Sequence, residues 1–134
     1  MNSPVLLKIV SGGQSGADRA ALDAAIETGT PHGGWCPAGR WAEDGRIDNR
    51  YLLTETESST PAARTEMNAR DADATVVFTY GPPTGGSGAT LEFARRHGRP
   101  ARHIDLAEND NTQCVDQLRR WLAPLMASYA ANND

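Results

Sequence analysis

The chain has 134 residues, with 13 basic and 17 acidic side chains and a formal net charge of −4. That length fits one domain over residues 1–134, large enough to bury a core without staples. The acidic balance argues against a protein that grips nucleic acid through a basic face, and no apolar stretch is long enough to span a membrane.

Only two cysteines occur, Cys36 and Cys114, far apart and without a secretion signal ahead of them. Reduced thiols in the cytoplasm are the expectation. Val5 to Val10 is a nearly continuous apolar run and predicts a strand buried on both faces. Ala17 to Thr28 predicts a helix, with Ala21, Leu22, Ala25 and Ile26 on one face and Gly29 and Pro31 as its stop. Gly34-Trp35-Cys36 predicts a short strand ending at Pro37, and the polar, glycine-containing stretch to Asn49 reads as a loop. Tyr51 to Thr54 predicts a third strand, and Pro61 opens a helix to about Asp71.

Ala74 to Tyr80 is the strongest strand signal in the chain. Gly81 to Gly88 reads as a turn, followed by a helix through His97 that Gly98 and Pro100 end. Arg102 to Leu106 predicts a last strand. Thr112 is the expected cap of a final helix, with Val115, Leu118, Leu122, Leu125 and Met126 lining one face, and Ala130 to Asp134 are expected to fray. Strands alternating with helices predict an α/β fold, a mostly parallel sheet with helices on both faces.

Two segments share one pattern. Gly12-Gly13-Gln14-Ser15-Gly16 and Thr84-Gly85-Gly86-Ser87-Gly88 each follow an apolar strand and precede a helix. Glycine admits backbone angles closed to other residues and lets a ligand approach the main chain. A helix start presents unpaired N–H groups and partial positive charge, which suits a phosphate, and Ser15, Ser87 and Thr90 can add hydroxyl hydrogen bonds. In an open α/β sheet such turns lie at the carboxyl edge, where ligands bind. If the first and fourth strands are neighbours, the turns face each other and form one site. Gly13→Val and Gly86→Val are then expected to abolish binding with the fold kept. Tight strand–helix packing is the plain alternative for one turn alone. Neither turn is a Walker loop, because neither ends in Gly-Lys-Ser/Thr.

Gly12 to Asp23 resembles the signature of the molybdenum cofactor carrier family. Gly33-Gly34-Trp35-Cys36-Pro37, with Gly39-Arg40 and Ala42-Glu43-Asp44-Gly45, looks like its second block, though Ala38 stands where that block commonly has lysine. Arg64-Thr65-Glu66-Met67-Asn68 with Asp71 and Asp73 looks like the third, and the second glycine turn like the fourth. The family is similar to the lonely-guy phosphoribohydrolases and related lysine-decarboxylase-like proteins. The resemblance implies a Rossmann-like, three-layer α/β/α fold and a cytoplasmic homo-oligomer, a tetramer above all. It implies binding of molybdopterin cofactor through phosphate and pterin, and delivery to molybdoenzymes or cofactor-insertion proteins.

Arg40, in a loop beside Gly39, is expected to reach the ligand anion with its guanidinium, a solvated loop being the alternative. Gly85 to Glu92 follows the hydrolase pattern Gly-Gly-x-Gly-Thr-x-x-Glu except at Ala89. Glu92, with Arg64 as its cationic partner, is therefore the candidate catalytic pair of a rival reading, a hydrolase of nucleoside monophosphates. The resemblance also implies a ligand or interface role for Arg64 and Glu66, an exposed local ion pair being the alternative. The alternative for Glu92 is a first-turn acid that complements the helix dipole. Trp35 and Trp41 flank the same loop and read either as stacking faces for a flat ring or as core or interface packing. The histidines lack ligand spacing, so no protein-ligated metal is expected. Carrier, phosphoribohydrolase and nucleotide sensor remain the three functional readings.

Overall fold

Short parallel pairings organise the chain. Strand β1 (Ile9–Val10) lies parallel to β2 (His32–Gly33), with Ile9 opposite His32. The computed structural model describes residues 7–132, so the expected strand start at Val5 and Leu6 lies outside the described residues. Between them runs α1 (Ala17–Thr28). Its stop is the expected one: Gly29 takes a left-handed φ of 69° and donates its N–H to the Ala25 and Ile26 carbonyls.

The expected second strand is broken in the middle. Gly34, at φ 135°, separates β2 from β3 (Trp35–Cys36), and a Cβ there would overlap the Ser11 carbonyl. Only glycine permits that close approach. Strand β3 pairs in parallel with β6 (Thr54–Glu55), so β2 and β3 together bridge β1 to β6. The stretch read as a loop contains a hairpin: β4 (Trp41–Ala42) and β5 (Gly45–Arg46) pair antiparallel around Glu43 and Asp44. Its strands, two residues each, are too short to carry a period-2 signal.

Helix α2 (Pro61–Asp71) starts with proline in its first turn, where the missing N–H costs nothing. It packs on β3 and on α3 (Gly85–Arg96). The second glycine segment is therefore the first helical turn of α3, not a loop before it. Strand β7 (Thr75–Thr79) pairs in parallel with β8 (Ala101–Asp105) over five residues, and α3 covers both. Helix α4 (Asn111–Asn132) packs against β8. Asp110, rather than Thr112, caps it: the Gln113 N–H donates to the Asp110 carboxylate and the Asp110 N–H to the Gln113 side-chain oxygen, both at 2.8 Å. This reciprocal pair is a capping box. The helix runs as far as Asn132, and the rest of the tail expected to fray, Asn133 and Asp134, lies outside the described residues. Val115 is exposed, and Cys114 is the buried residue of that helix. No described helix is long and apolar enough to cross a membrane.

The result is a mixed α/β protein with mostly parallel short pairings and four helices, consistent with a Rossmann-like α/β fold. Among the described residues no ladder joins β1 to β7. One core cluster holds Leu22, Cys36, Ile47 and Tyr51, with Ala42 and Leu53 against it. Fully burying Leu22 stabilises the fold by about 1.5–3 kcal/mol. Ala69, Val77, Leu91, Ala94 and Ile104 are buried where α2, α3, β7 and β8 meet.

Candidate ligand site at the glycine turns

The first turn is a strained, heavily tied piece of backbone. The Ser11 hydroxyl donates to the Asp18 carbonyl at 2.9 Å and accepts the Gly13 N–H at 3.2 Å. This closes the chain around Gly12 and Gly13. Gly13 has φ +76°, and a Cβ there would lie 2.5 Å from Leu53 Cδ1. Gly13→Val must therefore disturb the fold itself, which corrects the expectation that it would spare it. Gly16, at φ 87°, precedes α1, and no side chain caps that helix. Its first N–H groups thus point towards the turn without a capping side chain.

Arg64 of α2 lies across this turn. A Cβ on Gly12 would stand 2.7 Å from Arg64 Cδ and overlap the guanidinium. The guanidinium meets the Asp18 carboxylate at 3.5 Å, a long contact. Its Nε–H is buried and finds no acceptor among the described residues. A buried donor without a partner costs about 1–3 kcal/mol, more when charged, so it calls for a partner. Burial also pushes the Asp18 carboxyl above the ordinary carboxylate range, and Arg64 pulls it back only in part.

The hairpin straps the other side. Gln14 donates its side-chain amide to the Trp41 carbonyl at 3.1 Å, and the Ser15 hydroxyl reaches Glu43 at 3.5 Å. Arg19 donates to the Gly13 carbonyl at 2.9 Å and forks onto Asp44 at 3.0 and 3.1 Å, which holds the Asp44 carboxyl below its usual range. The Gln14 and Ser15 side chains therefore face the hairpin. Arg40 is not at the turn surface. It is buried, has a left-handed φ of 60°, and donates to the carbonyls of Ile47, Asp48, Tyr51 and Leu53. It is the hub that holds the segment from the hairpin to β6.

The second turn is open. Thr84 precedes α3 without a side-chain cap, and its carbonyl accepts the N–H groups of Ser87 and Gly88. Thr90 donates its hydroxyl to the Gly86 carbonyl at 2.8 Å. A Cβ at Gly85 or Gly86 would meet nothing within 4 Å, and one at Gly88 would sit 3.4 Å from the Pro83 carbonyl. The segment entering the turn is anchored from β8. Asp105 accepts the Gly81 N–H at 2.8 Å, and His103 shares a hydrogen bond with Thr79, whose hydroxyl donates to the Gly81 carbonyl. No described hydrogen bond or ion pair joins the two turns.

Several residues carry more than their sequence context announces. Arg19 shapes the first turn and Asp105 the second. Asn68 makes two hydrogen bonds to the Trp35 backbone, and the Trp35 indole donates to Asp71 at 2.8 Å, so Trp35 is fixed to α2 rather than free to stack. Trp41 is 62% exposed beside the first turn, and Tyr80 is 82% exposed just before the second. Cys36 is a buried core thiol, pushed up by burial. Glu92 pairs with Arg96 one turn along an exposed helix face at 3.4 Å, whereas Arg64 pairs with Asp18.

The model of the circularly permutated YpsA SLOG family matches residues 9–129. A solved structure from Syntrophus aciditrophicus, provisionally named a molybdenum carrier protein, is 43% identical, with a TM-score of 0.86 over 90% of this chain and 77% of that one. No curated protein matches.

Proposed function

Because the chain belongs to the circularly permutated YpsA SLOG family, we propose that it is a carrier that binds molybdopterin cofactor by its phosphate at the glycine turns, protects it and delivers it. The observation that carries this reading is Arg64, a cation laid across Gly12 with a buried, unpartnered Nε–H beside the uncapped start of α1. A phosphate seated on Gly12, Gly13, Gln14, Ser15 and Gly16 takes that donor and the helix N–H groups together. The first turn of α3, with Thr84, Gly85, Gly86, Ser87, Gly88 and Thr90, supplies a second set of open donors. Exposed Trp41 and Tyr80 offer faces for a flat ring. Arg40 then serves the site indirectly, by holding the hairpin under the first turn. The name of the Syntrophus aciditrophicus protein supports the choice of cargo.

Binding rather than hydrolysis is favoured by the separate pairing of the two candidate catalytic groups. Glu92 is tied to Arg96 and Arg64 to Asp18, so Arg64 is not the partner that would orient the Glu92 carboxylate for hydrolysis. The carrier is a cytoplasmic homo-oligomer, a tetramer by family likeness; light scattering that reports a monomer removes that part. The test of the site is Arg64→Gln. Retained cofactor, measured as pterin fluorescence after gel filtration, should fall about 10–100-fold, the worth of one charge-assisted hydrogen-bonding group. Unchanged retention would mean the phosphate lies elsewhere.

A further inference from the structure

A second feature lies away from the glycine turns. A half-open groove of about 330 Å³ lies beside the packing of α4 on β8, lined by Arg102, Asp116, Gln117, Arg120 and Trp121. Arg102 is three residues before Asp105, the anchor of the second turn, so the cavity sits about 10 Å back along the strand. Its chemistry is two guanidinium groups and one indole. The single acid present, Asp116, is already held by Arg120 at 3.1 Å. Arg102 reaches only the Gln117 side-chain oxygen, at 3.5 Å, the outer limit of a hydrogen bond. The Arg102 fork is thus weakly engaged.

The strand beside it adds a second, independent property. Among the described residues β8 pairs with β7 on one side only. An unpaired strand edge presents a row of backbone donors and acceptors that an extended chain can complete. Arginine and tryptophan are also the side chains that most often carry binding energy at interfaces.

We propose that this groove docks an extended acidic segment of a partner protein. The segment adds along the free edge of β8, places one carboxylate between Arg102 and Arg120, and lays an apolar neighbour on Trp121. A small-molecule ligand fits less well, because such sites enclose most of their ligand whereas this groove is half open. Charge complementarity is local. The whole chain is acidic, at −4, while the groove sets two arginines, Arg102 and Arg120, against the one acid Asp116. Binding is therefore strongest at low salt and weakens as salt screens it. The inference stands apart from the carrier reading and does not need it.

Fluorescence anisotropy with a labelled twelve-residue peptide alternating glutamate and valine tests it, with glutamine replacing glutamate in the control peptide. The acidic peptide should bind saturably, and the glutamine peptide at least tenfold more weakly. R102E/R120E should lose at least tenfold, while R46E, a charge reversal on the β4–β5 hairpin, should change binding less than twofold. Arg120 is 80% exposed, so R120Q tests the site without risk to the fold and should weaken binding at least threefold. Absence of saturable binding, equal binding of both peptides, or an equal loss in R46E would each overturn the proposal. So would a self-association in the wild type that R102E/R120E dissolves, because a second copy would then occupy the groove.

Discussion

Gly86→Ala separates a glycine kept for the fold from one kept for a ligand. Gly86 lies in the first turn of α3 with ordinary helical backbone, and a Cβ there meets nothing within 4 Å. The fold has no steric need for glycine at this position. Alanine in place of a helical glycine stabilises by roughly 0.5–1 kcal/mol, and a first-turn site takes the lower end, about 0.5 kcal/mol. At ~2.1 cal/mol/K per residue, that raises the melting temperature by about 2 °C for this chain length. The methyl group nevertheless projects into the space a phosphate must enter to reach the N–H groups. Scanning calorimetry should record the gain in stability, and the pterin retention assay a loss of at least tenfold. Higher stability with unchanged retention would refute the second turn as part of the site. Lower stability would refute the helical geometry on which the reasoning stands.

Gly13→Ala should behave oppositely, destabilising by about 2–4 kcal/mol in urea denaturation, since it combines a left-handed φ with a clash against Leu53. Arg40→Met should cost about 3–5 kcal/mol by the same method, because four carbonyls lose a buried charged donor. Asp71 accepts hydrogen bonds from Arg70 and the Trp35 indole, which hold its pKa down to about 2. A depressed folded-state pKa gives stability that is present above the unfolded value, near 3.8, and is lost as pH falls towards 2. The urea midpoint of Asp71→Asn should accordingly fall less steeply over that window than that of the wild type; parallel curves would remove the assignment.

The elements that rest on local chemistry were legible in the sequence. Gly29 ends α1, Pro61 opens α2, and Ala74 to Tyr80 contains β7, because each follows from one residue type or one apolar run. What was not legible depends on tertiary docking. The hairpin at Trp41 to Arg46 owes its place to Arg40 and to straps from Gln14, Ser15 and Arg19, residues distant in sequence. Arg40 itself read as a ligand arginine, since sequence cannot tell a guanidinium that takes carbonyls from one that takes an anion. Gly85 to Gly88 read as a turn because glycine weakens helices, yet here they begin one. Arg64 matters for the opposite reason: only the docking of α2 lays it over Gly12.

The central claim, binding without turnover at the glycine turns, is tested most directly by offering the purified protein molybdopterin cofactor and AMP in parallel. Retained pterin and released adenine are then measured for the wild type and for Glu92→Gln. The account predicts retained pterin and no adenine release, with retention changed no more than a few-fold by Glu92→Gln. Adenine release by the wild type, lost ~100-fold or more in Glu92→Gln as for a missing general base, would make the protein a hydrolase and contradict the account.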